Sequence, residues 1–191
     1  MSYQIYLPPQ YEQQPQQRFP VIYWLHGLGG NQRGGTSTFL PRVQEAIGES
    51  SLPPTIVVFV NGMVSSFYCD WADGKRPVES IIVRDLIPHI DATYRTLAKR
   101  EARAIEGYSM GGYGAAHLGF KYPDRFIAVS CLAGAFKADT RPDILLKVFG
   151  NDRALAEANS PFNLARKNAD QIRDRMRVRL CVGRSEEHTS E

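Results

Sequence analysis

The stretch that decides the fold is RAIEGYSMGGYGAAHLGFKY, residues 103–122. Its first four residues have the pattern of a short strand, and residues 110–122, rich in Gly and Ala and followed by Pro123, have that of a helix. Between them, Gly107-x-Ser109-x-Gly111 fits a nucleophile elbow, a sharp turn that exposes a serine hydroxyl. Glycines are expected on both sides of the serine because larger residues would collide with the strand and the helix.

The rest of the chain alternates strand-like and helical segments. Apolar runs predict buried strands over residues 19–25, 55–60, 126–132 and 177–182. Apolar periodicity predicts helices over 38–47 and 78–97, and a mostly helical region over 141–175 with a break at residues 160–161. This alternation predicts the α/β class, with a mostly parallel central sheet covered by helices on both faces. In such a sheet the ligand site lies beyond the carboxyl ends of the strands.

The glycine-rich loop HGLGG, residues 26–30, follows the strand over 19–25 and is expected to lie beside the serine turn. The backbone N–H groups of Leu28 and Met110 are the predicted donors of an oxyanion hole. Losing one such donor typically costs about 3 kcal/mol of transition-state stabilisation. The pentapeptide alone can be a chance glycine-rich turn, but its place between a strand and a helix, together with this loop, favours Ser109 as a nucleophile.

Several segments resemble the esterase D/feruloyl esterase family: YLPPQY (6–11), YWLHG (23–27), DLIPHI (85–90), GYSMGGYGA (107–115) and YPDRF (122–126). The resemblance implies the α/β-hydrolase fold and a serine carboxylic ester hydrolase that forms an acyl-enzyme through a Ser-His-Asp triad, with no cofactor and no metal. It implies small acyl, acetyl or feruloyl esters as substrates, including carbohydrate-linked ones. An acyltransferase of the same family and a non-catalytic binding module remain alternatives, although the presence of both Ser109 and the glycine-rich loop disfavours the module.

The serine motif and the glycine-rich loop do not identify the acid and the base of the triad. In this fold they follow the serine, in the order Asp or Glu and then His. His26 precedes the serine and is assigned a structural role, and His89 is expected to be partly buried or to cap its helix. His117 lies about 12 Å along the helix from the serine, too far to take its proton. His188 remains, with Glu186 in the position expected for the acid.

The last eight residues, RSEEHTSE (184–191), have no strand or helix pattern and match the translation of a common sequencing adapter. We therefore expect residues 1–183 to form a single α/β-hydrolase domain that lacks its last strand and helix, and residues 184–191 to be a non-native tail. The chain as written is then expected to have little or no activity. A strand-like run begins at Tyr3, only two residues after Met1. The existence of an upstream strand or a signal peptide is therefore left undecided. No signal peptide is visible, and the default location is cytoplasmic.

Composition excludes several other function classes. The net charge is only +3 and no basic run with interleaved aromatics is present, which disfavours nucleic acid as a partner. No apolar stretch reaches the roughly 18 residues of a membrane span. Three cysteines without metal-ligand spacing indicate neither a zinc site nor a disulfide framework, and Asp70 and Asp73 provide too few oxygens for a metal loop. The oligomeric state is not indicated.

The loop over residues 65–74 follows the strand over 55–60, at the edge of the sheet where binding loops concentrate. Tyr68 and Trp71 are predicted substrate-loop residues, with an ordinary loop whose aromatics pack on a neighbour as the alternative. The segment 137–163 is expected to form a small cap over the site, or else a plain crossover. The strand over 177–182 is expected to be an unprotected edge that is prone to aggregation.

Overall fold

The computed structural model describes residues 2–137 and 141–183. Within this part of the chain, six strands form one sheet in the order β1-β3-β2-β4-β5-β6. They are β1 (Tyr3–Tyr6), β2 (Val21–Leu25), β3 (Ile56–Val60), β4 (Arg103–Tyr108), β5 (Ala128–Leu132) and β6 (Arg177–Cys181). β1 runs antiparallel to β3 and the other neighbouring pairs are parallel, which confirms the mostly parallel sheet.

Helices connect these strands and cover the sheet. They are α1 (Gln10–Gln13), α2 (Phe39–Gly48), α3 (Val78–Ser80), α4 (Ile87–Thr93), α5 (Met110–Lys121), α6 (Pro142–Phe149), α7 (Arg153–Asn159), α8 (Pro161–Lys167) and α9 (Ala169–Ile172). A π-helical turn (Ile81–Leu86) joins α3 to α4, and a 3-10 turn (Arg100–Ala102) precedes β4. None of the helices in residues 2–137 and 141–183 has the length and apolar character that crossing a membrane requires.

The helix predicted over residues 78–97 ends earlier than expected, at Thr93. Tyr94 takes an extended conformation, and the backbone beyond it pairs with the chain that leads into β2. The Phe19 N–H donates to Arg95 O at 2.8 Å, and the Leu97 N–H donates to Phe19 O at 2.9 Å. These tertiary hydrogen bonds override the helical periodicity of the last four residues, since they satisfy the same backbone groups without a further helical turn.

Two apolar clusters lie on opposite faces of the sheet. The larger one contains the buried side chains of α5 and of the 78–93 helical region, packed against the central strands. The smaller one lies under α2 and contains Trp24, Val43, Val57 and Phe59. All five residues of β3 are buried, as a strand covered on both faces requires. The central strands are thereby fixed on both faces, and their carboxyl ends are held in place.

Beyond α2, the same face of the sheet is less well covered over β4, β5 and β6. Glu106, Ser130 and Arg179 are side by side in the register of these three strands, and none of them is fully buried. A cavity of about 690 Å³ lies between this part of the sheet and α2. β6 is the last strand of the sheet, and both of its faces are largely exposed, with Leu180 63% exposed. Among residues 2–137 and 141–183, no strand pairs with the outer edge of β6, so this part of the chain presents apolar side chains beside unpaired backbone groups.

We expect the exposed edge of β6 to cause self-association that a charged side chain suppresses. Leu180→Lys should lower the fraction of oligomer and aggregate, because an edge lysine opposes strand pairing between molecules. Size-exclusion chromatography with light scattering measures this fraction. Leu146→Lys is the matched control, because Leu146 is 64% exposed but lies on α6. An equal decrease in both variants would show that general surface apolarity, and not the edge, is responsible.

Candidate active site

Ser109 lies at the turn between β4 and α5, where the sequence predicts it. Its backbone has φ 56° and ψ −114°, a conformation that is strained for a residue with a side chain. The surrounding chain maintains this conformation through hydrogen bonds. The Ser109 N–H donates to Leu132 O at 2.8 Å, and Ser109 O accepts from the N–H groups of Tyr113 (3.0 Å) and Ala135 (3.1 Å). The turn is thus fixed by α5 and by the end of β5, and the serine side chain remains partly exposed.

The glycines around Ser109 permit backbone contacts that a side chain would block. A Cβ atom on Gly107 would collide with the backbone of Gly111, and one on Gly111 would collide with Leu25 O at the end of β2. A Cβ atom on Gly27 would lie 3.5 Å from the Cβ of Ser109. The glycine-rich loop after β2 and the serine turn after β4 are therefore in direct contact, as expected from the adjacent parallel strands.

Hydrogen bonds on both sides of Leu28 hold the glycine-rich loop in place. Gly27 O accepts from the Gly30 N–H at 3.0 Å, and the Gly29 N–H donates to Val64 O at 3.0 Å. Leu28 itself is 51% exposed. Met110 is the first residue of α5, so its N–H belongs to the helix end that lacks an intrahelical acceptor. Both backbone positions predicted as oxyanion donors are therefore in the two segments that meet at Ser109.

His26 supports this loop and has no ring nitrogen left for proton transfer. Its Nδ1 donates to Gly27 O at 2.8 Å, and its Nε2 accepts from the Gly62 N–H at 3.0 Å. This pattern requires a neutral imidazole with its proton on Nδ1. Burial lowers the pKa of His26, although the hydrogen bond to Gly27 opposes that shift. The structural role assigned to His26 from the sequence is confirmed.

The two aromatic residues of the loop over 65–74 have different environments. Tyr68 is fully buried, and its hydroxyl donates to His26 O at 3.0 Å. The prediction of Tyr68 as a substrate-loop residue is therefore corrected: the side chain packs beneath the glycine-rich loop, and cannot line a surface pocket. Trp71 is partly exposed and lines a cavity of about 400 Å³ beside Val64. No local sequence pattern distinguishes these two residues.

His117 belongs to a buried charged cluster that the sequence did not reveal. Its Nε2 donates to Glu79 Oε2 at 2.6 Å, and its Nδ1 donates to Asn159 O at 2.9 Å. Lys121 Nζ lies 2.8 Å from Glu79 Oε1, and the Tyr122 hydroxyl donates to the same oxygen at 2.5 Å. No sequence pattern distinguishes Glu79 from the other charged residues of the segment 78–97, such as Asp85 and Asp91. The cluster ties α5 to α3 and α7, and it leaves His117 no nitrogen for Ser109.

The electrostatics of this cluster favour two opposite charges. Burial by itself would lower the pKa of His117, but contacts with Cys69 and Glu79 raise it to about 10. Burial opposes ionisation of Glu79, but hydrogen bonds and the charge of His117, with smaller effects of Lys121 and Tyr122, lower its pKa to about 2. The pair is therefore ionised at neutral pH. A buried pair of this kind is maintained by its hydrogen bonds as much as by its charges.

The two remaining histidines do not complete a triad among the described residues. His89 is exposed on α4, which corrects the expectation of partial burial, and its Nε2 lies 2.9 Å from the hydroxyl of Tyr3. Tyr3 is on β1, the sheet edge farthest from β6. His188 and Glu186 lie outside the described residues. Within residues 2–137 and 141–183, therefore, no imidazole is free beside Ser109.

Asp70 and Asp73 have structural hydrogen bonds. Asp70 Oδ1 accepts from the Ser80 N–H at 2.9 Å, and the Ser80 hydroxyl donates to Oδ2 at 2.5 Å. Asp73 Oδ1 accepts from the Lys75 N–H at 2.9 Å. In the part of the chain that the structure describes, no group of three His, Cys, Asp or Glu side chains is arranged to hold a metal ion. These aspartates thus shape the loop that carries Trp71.

The segment between β5 and β6 packs on α5 and on the same loop. The Ala72 N–H donates to Val148 O at 2.9 Å, at the end of α6, and α8 packs against α5. The break predicted at residues 160–161 is confirmed, because α7 ends at Asn159 and α8 begins at Pro161. Residues 138–140 of the predicted cap lie outside the described residues. Coverage of Ser109 by this segment stays a prediction.

Comparison with known proteins places this geometry in a family. The family model described as "Putative esterase" matches residues 1–191. The chain belongs to this esterase family. An esterase of Mycobacterium tuberculosis (strain CDC 1551 / Oshkosh) is 34% identical over 119 residues, which cover 61% of this chain and 25% of that protein. An acetyl esterase of Caldicellulosiruptor saccharolyticus is 27% identical over 147 residues, covering 77% of this chain and 50% of that protein. The chain thus spans half or less of the length of these two relatives.

Solved structures show the same fold. An S-formylglutathione hydrolase from Agrobacterium tumefaciens has a TM-score of 0.74 at 19% identity, covering 95% of this chain and 79% of that one. A ferulic acid esterase has a TM-score of 0.69 at 19% identity, covering 95% of this chain and 84% of that one. At this identity the likeness concerns the fold alone, which is the α/β-hydrolase fold expected from the sequence.

The charged cluster makes a prediction for the pH dependence of stability. The pKa of His117 in the folded protein, about 10, exceeds its ordinary value of 6.5. Its contribution to the free energy of unfolding is therefore fully present below pH 6.5 and is lost as the pH rises towards 10. We expect His117→Gln to be less stable at pH 6 and to lose this alkaline dependence, whose slope is at most about 1.4 kcal/mol per pH unit.

Urea unfolding followed by far-UV circular dichroism between pH 6 and 10 measures this effect. His89→Gln is the control, since His89 is exposed and lies outside the cluster. Identical slopes in His117→Gln and the unsubstituted protein would contradict the assignment. The acidic limb has the opposite sign: the contribution of Glu79 is present above pH 4.5 and is lost as the pH falls towards 2.

Proposed function

We propose that this member of the esterase family is a carboxylic ester hydrolase whose nucleophile is Ser109. The observation that carries the proposal is the strained backbone of Ser109 at the β4–α5 turn, in contact with the glycine-rich loop. Such strain persists only where the surrounding structure holds it, and it is concentrated at functional sites. The similarity to an acetyl esterase and to esterases of the same fold supports the same reaction class.

In the proposed reaction, the Ser109 hydroxyl attacks the carbonyl carbon of an ester and the alcohol leaves. The backbone N–H groups of Leu28 and Met110 donate to the oxyanion of the tetrahedral intermediate. Water then hydrolyses the acyl-enzyme and regenerates the serine. The N-terminus of α5 adds a favourable dipole for the developing negative charge. Small acetyl or feruloyl esters, including carbohydrate-linked ones, are the proposed substrates.

Covalent labelling tests Ser109 as the nucleophile. The described residues offer no free imidazole beside Ser109, so we expect slow, stoichiometric labelling by a fluorophosphonate probe rather than rapid turnover. Intact-protein and peptide mass spectrometry should locate the label on Ser109, and Ser109→Ala should remove it. Ser37→Ala, at an exposed serine in the loop before α2, is the control and should label normally. Equal labelling of Ser109→Ala and the unsubstituted protein would overturn the proposal.

Hydrolysis of p-nitrophenyl acetate tests the role of the last eight residues. We expect turnover close to the background rate. General-base catalysis typically contributes about 10²–10⁴-fold, and no imidazole among the described residues is free to supply it at Ser109. Rapid turnover that is lost in His188→Ala would instead show that residues 184–191 supply the base, and the expectation of a non-native tail would be wrong.

A further inference from the structure

The loop after β3 forms a groove that has no role in the proposed reaction as described above. The groove has a volume of about 400 Å³ and is lined by Asn61, Met63, Val64, Ser65, Trp71 and Arg76. It adjoins the proposed active site, because Val64 O accepts a hydrogen bond from the Gly29 N–H in the glycine-rich loop. A molecule bound at Ser109 could therefore extend across this loop into the groove.

One wall of this groove, which we call the Trp71 groove, is apolar. Val64 is 63% exposed and Met63 is 42% exposed, so two apolar side chains face solvent beside the ring of Trp71. The backbone of Met63 has φ 63°, and Phe67 and Tyr68 in the same loop also have positive φ values of 53° and 59°. This concentration of strained residues shows that the loop is held in one conformation by its surroundings.

The other end of the groove is cationic. The Arg76 guanidinium stacks over the Trp71 ring, with its central carbon 4.1 Å from the ring centroid. The nearest acid, Asp73, lies 3.9 Å away, and both side chains are 43% exposed, so this ion pair neutralises Arg76 weakly. A stacked guanidinium keeps its donor edge free for a carboxylate or a phosphate.

The Trp71 ring contributes its apolar surface to the groove, while its indole N–H is without a partner in the described residues. Its indole Nε1 is buried, and no acceptor among residues 2–137 and 141–183 reaches it. The groove thus combines an apolar wall with a cation.

The groove is preorganised by its own backbone. The Trp71 N–H donates to Arg76 O at 3.1 Å, and the Gly74 N–H donates to Trp71 O at 3.0 Å. Asp70 closes the same loop through its two hydrogen bonds to Ser80. Because Trp71 and Arg76 are already positioned against each other, a ligand would not have to order them on binding.

We propose that the Trp71 groove is a specificity subsite for esters whose remote part is a planar ring that bears a carboxylate. The ring lies against Met63, Val64 and the Trp71 indole, and the carboxylate pairs with Arg76. This inference rests on the proposed function for its relation to the ester, but binding to the groove does not require Ser109 to react.

Direct binding tests the subsite without catalysis. The probe is 4-acetamidobenzoate, an amide analogue of 4-acetoxybenzoate, and its neutral counterpart is methyl 4-acetamidobenzoate. The chain has two tryptophans, and Trp24 is buried under α2, so ligand-dependent quenching should come from Trp71. We expect the anionic probe to bind about tenfold more tightly than its methyl ester, which corresponds to about 1.4 kcal/mol. Trp71→Phe should lose the fluorescence response.

Variants of the exposed cations separate a specific contact from general charge. Arg76→Gln should weaken binding of the anionic probe about tenfold and should leave the methyl ester unchanged. Lys75→Gln is the matched control, because Lys75 is exposed in the same loop but does not line the groove. Arg76→Lys should retain part of the preference, since it keeps the charge but loses the planar stack.

Two results would overturn the subsite: equal affinity for the anionic and neutral probes, or equal losses in Arg76→Gln and Lys75→Gln. Failure of the proposed function is a separate result. In that case the fluorophosphonate does not label Ser109, while the preference of the groove for the anionic probe persists.

Discussion

The close backbone contact between the end of β2, the end of β4 and the first turn of α5 is the constraint on which the rest of the site depends. Gly107 and Gly111 allow these three segments to approach within distances that a Cβ atom would prevent. The contact forces Ser109 into its strained conformation and brings Gly27 against it. Because β2 and β4 are adjacent and parallel, the same contact fixes the separation between the serine and the loop that follows β2.

The other end of α5 is held by a different kind of interaction. Glu79 accepts hydrogen bonds from His117, Lys121 and Tyr122, so one carboxylate contacts three side chains over the last five residues of α5 and the residue after it. Apolar packing alone lets a helix slide or rotate among similar contacts, whereas buried hydrogen bonds have one satisfactory geometry. α5 is therefore fixed at its first turn by steric contact and at its last turn by charge, and both restrict how Ser109 can move.

The elements of the sheet and the serine turn could be predicted from the sequence because each has a local cause. The apolar run of β3 is bounded by a glycine-containing turn, and Gly107 and Gly111 flank a serine between a strand and a helix. The remainder depends on contacts that are distant in sequence. The helix ends at Thr93 because residues 95 and 97 pair with Phe19, and Tyr68 is buried because its hydroxyl reaches His26. Nothing local separates Tyr68 from Trp71, and nothing local pairs His117 with Glu79.

His26 shows what a histidine in the glycine-rich loop contributes when both of its ring nitrogens are hydrogen-bonded. The ring is neutral, because Nδ1 donates to Gly27 O while Nε2 accepts from the Gly62 N–H, and burial lowers its pKa. The glycine-rich loop after β2 is therefore supported by a polar but uncharged side chain. His26 thus sets the shape of this loop and adds no formal charge to it.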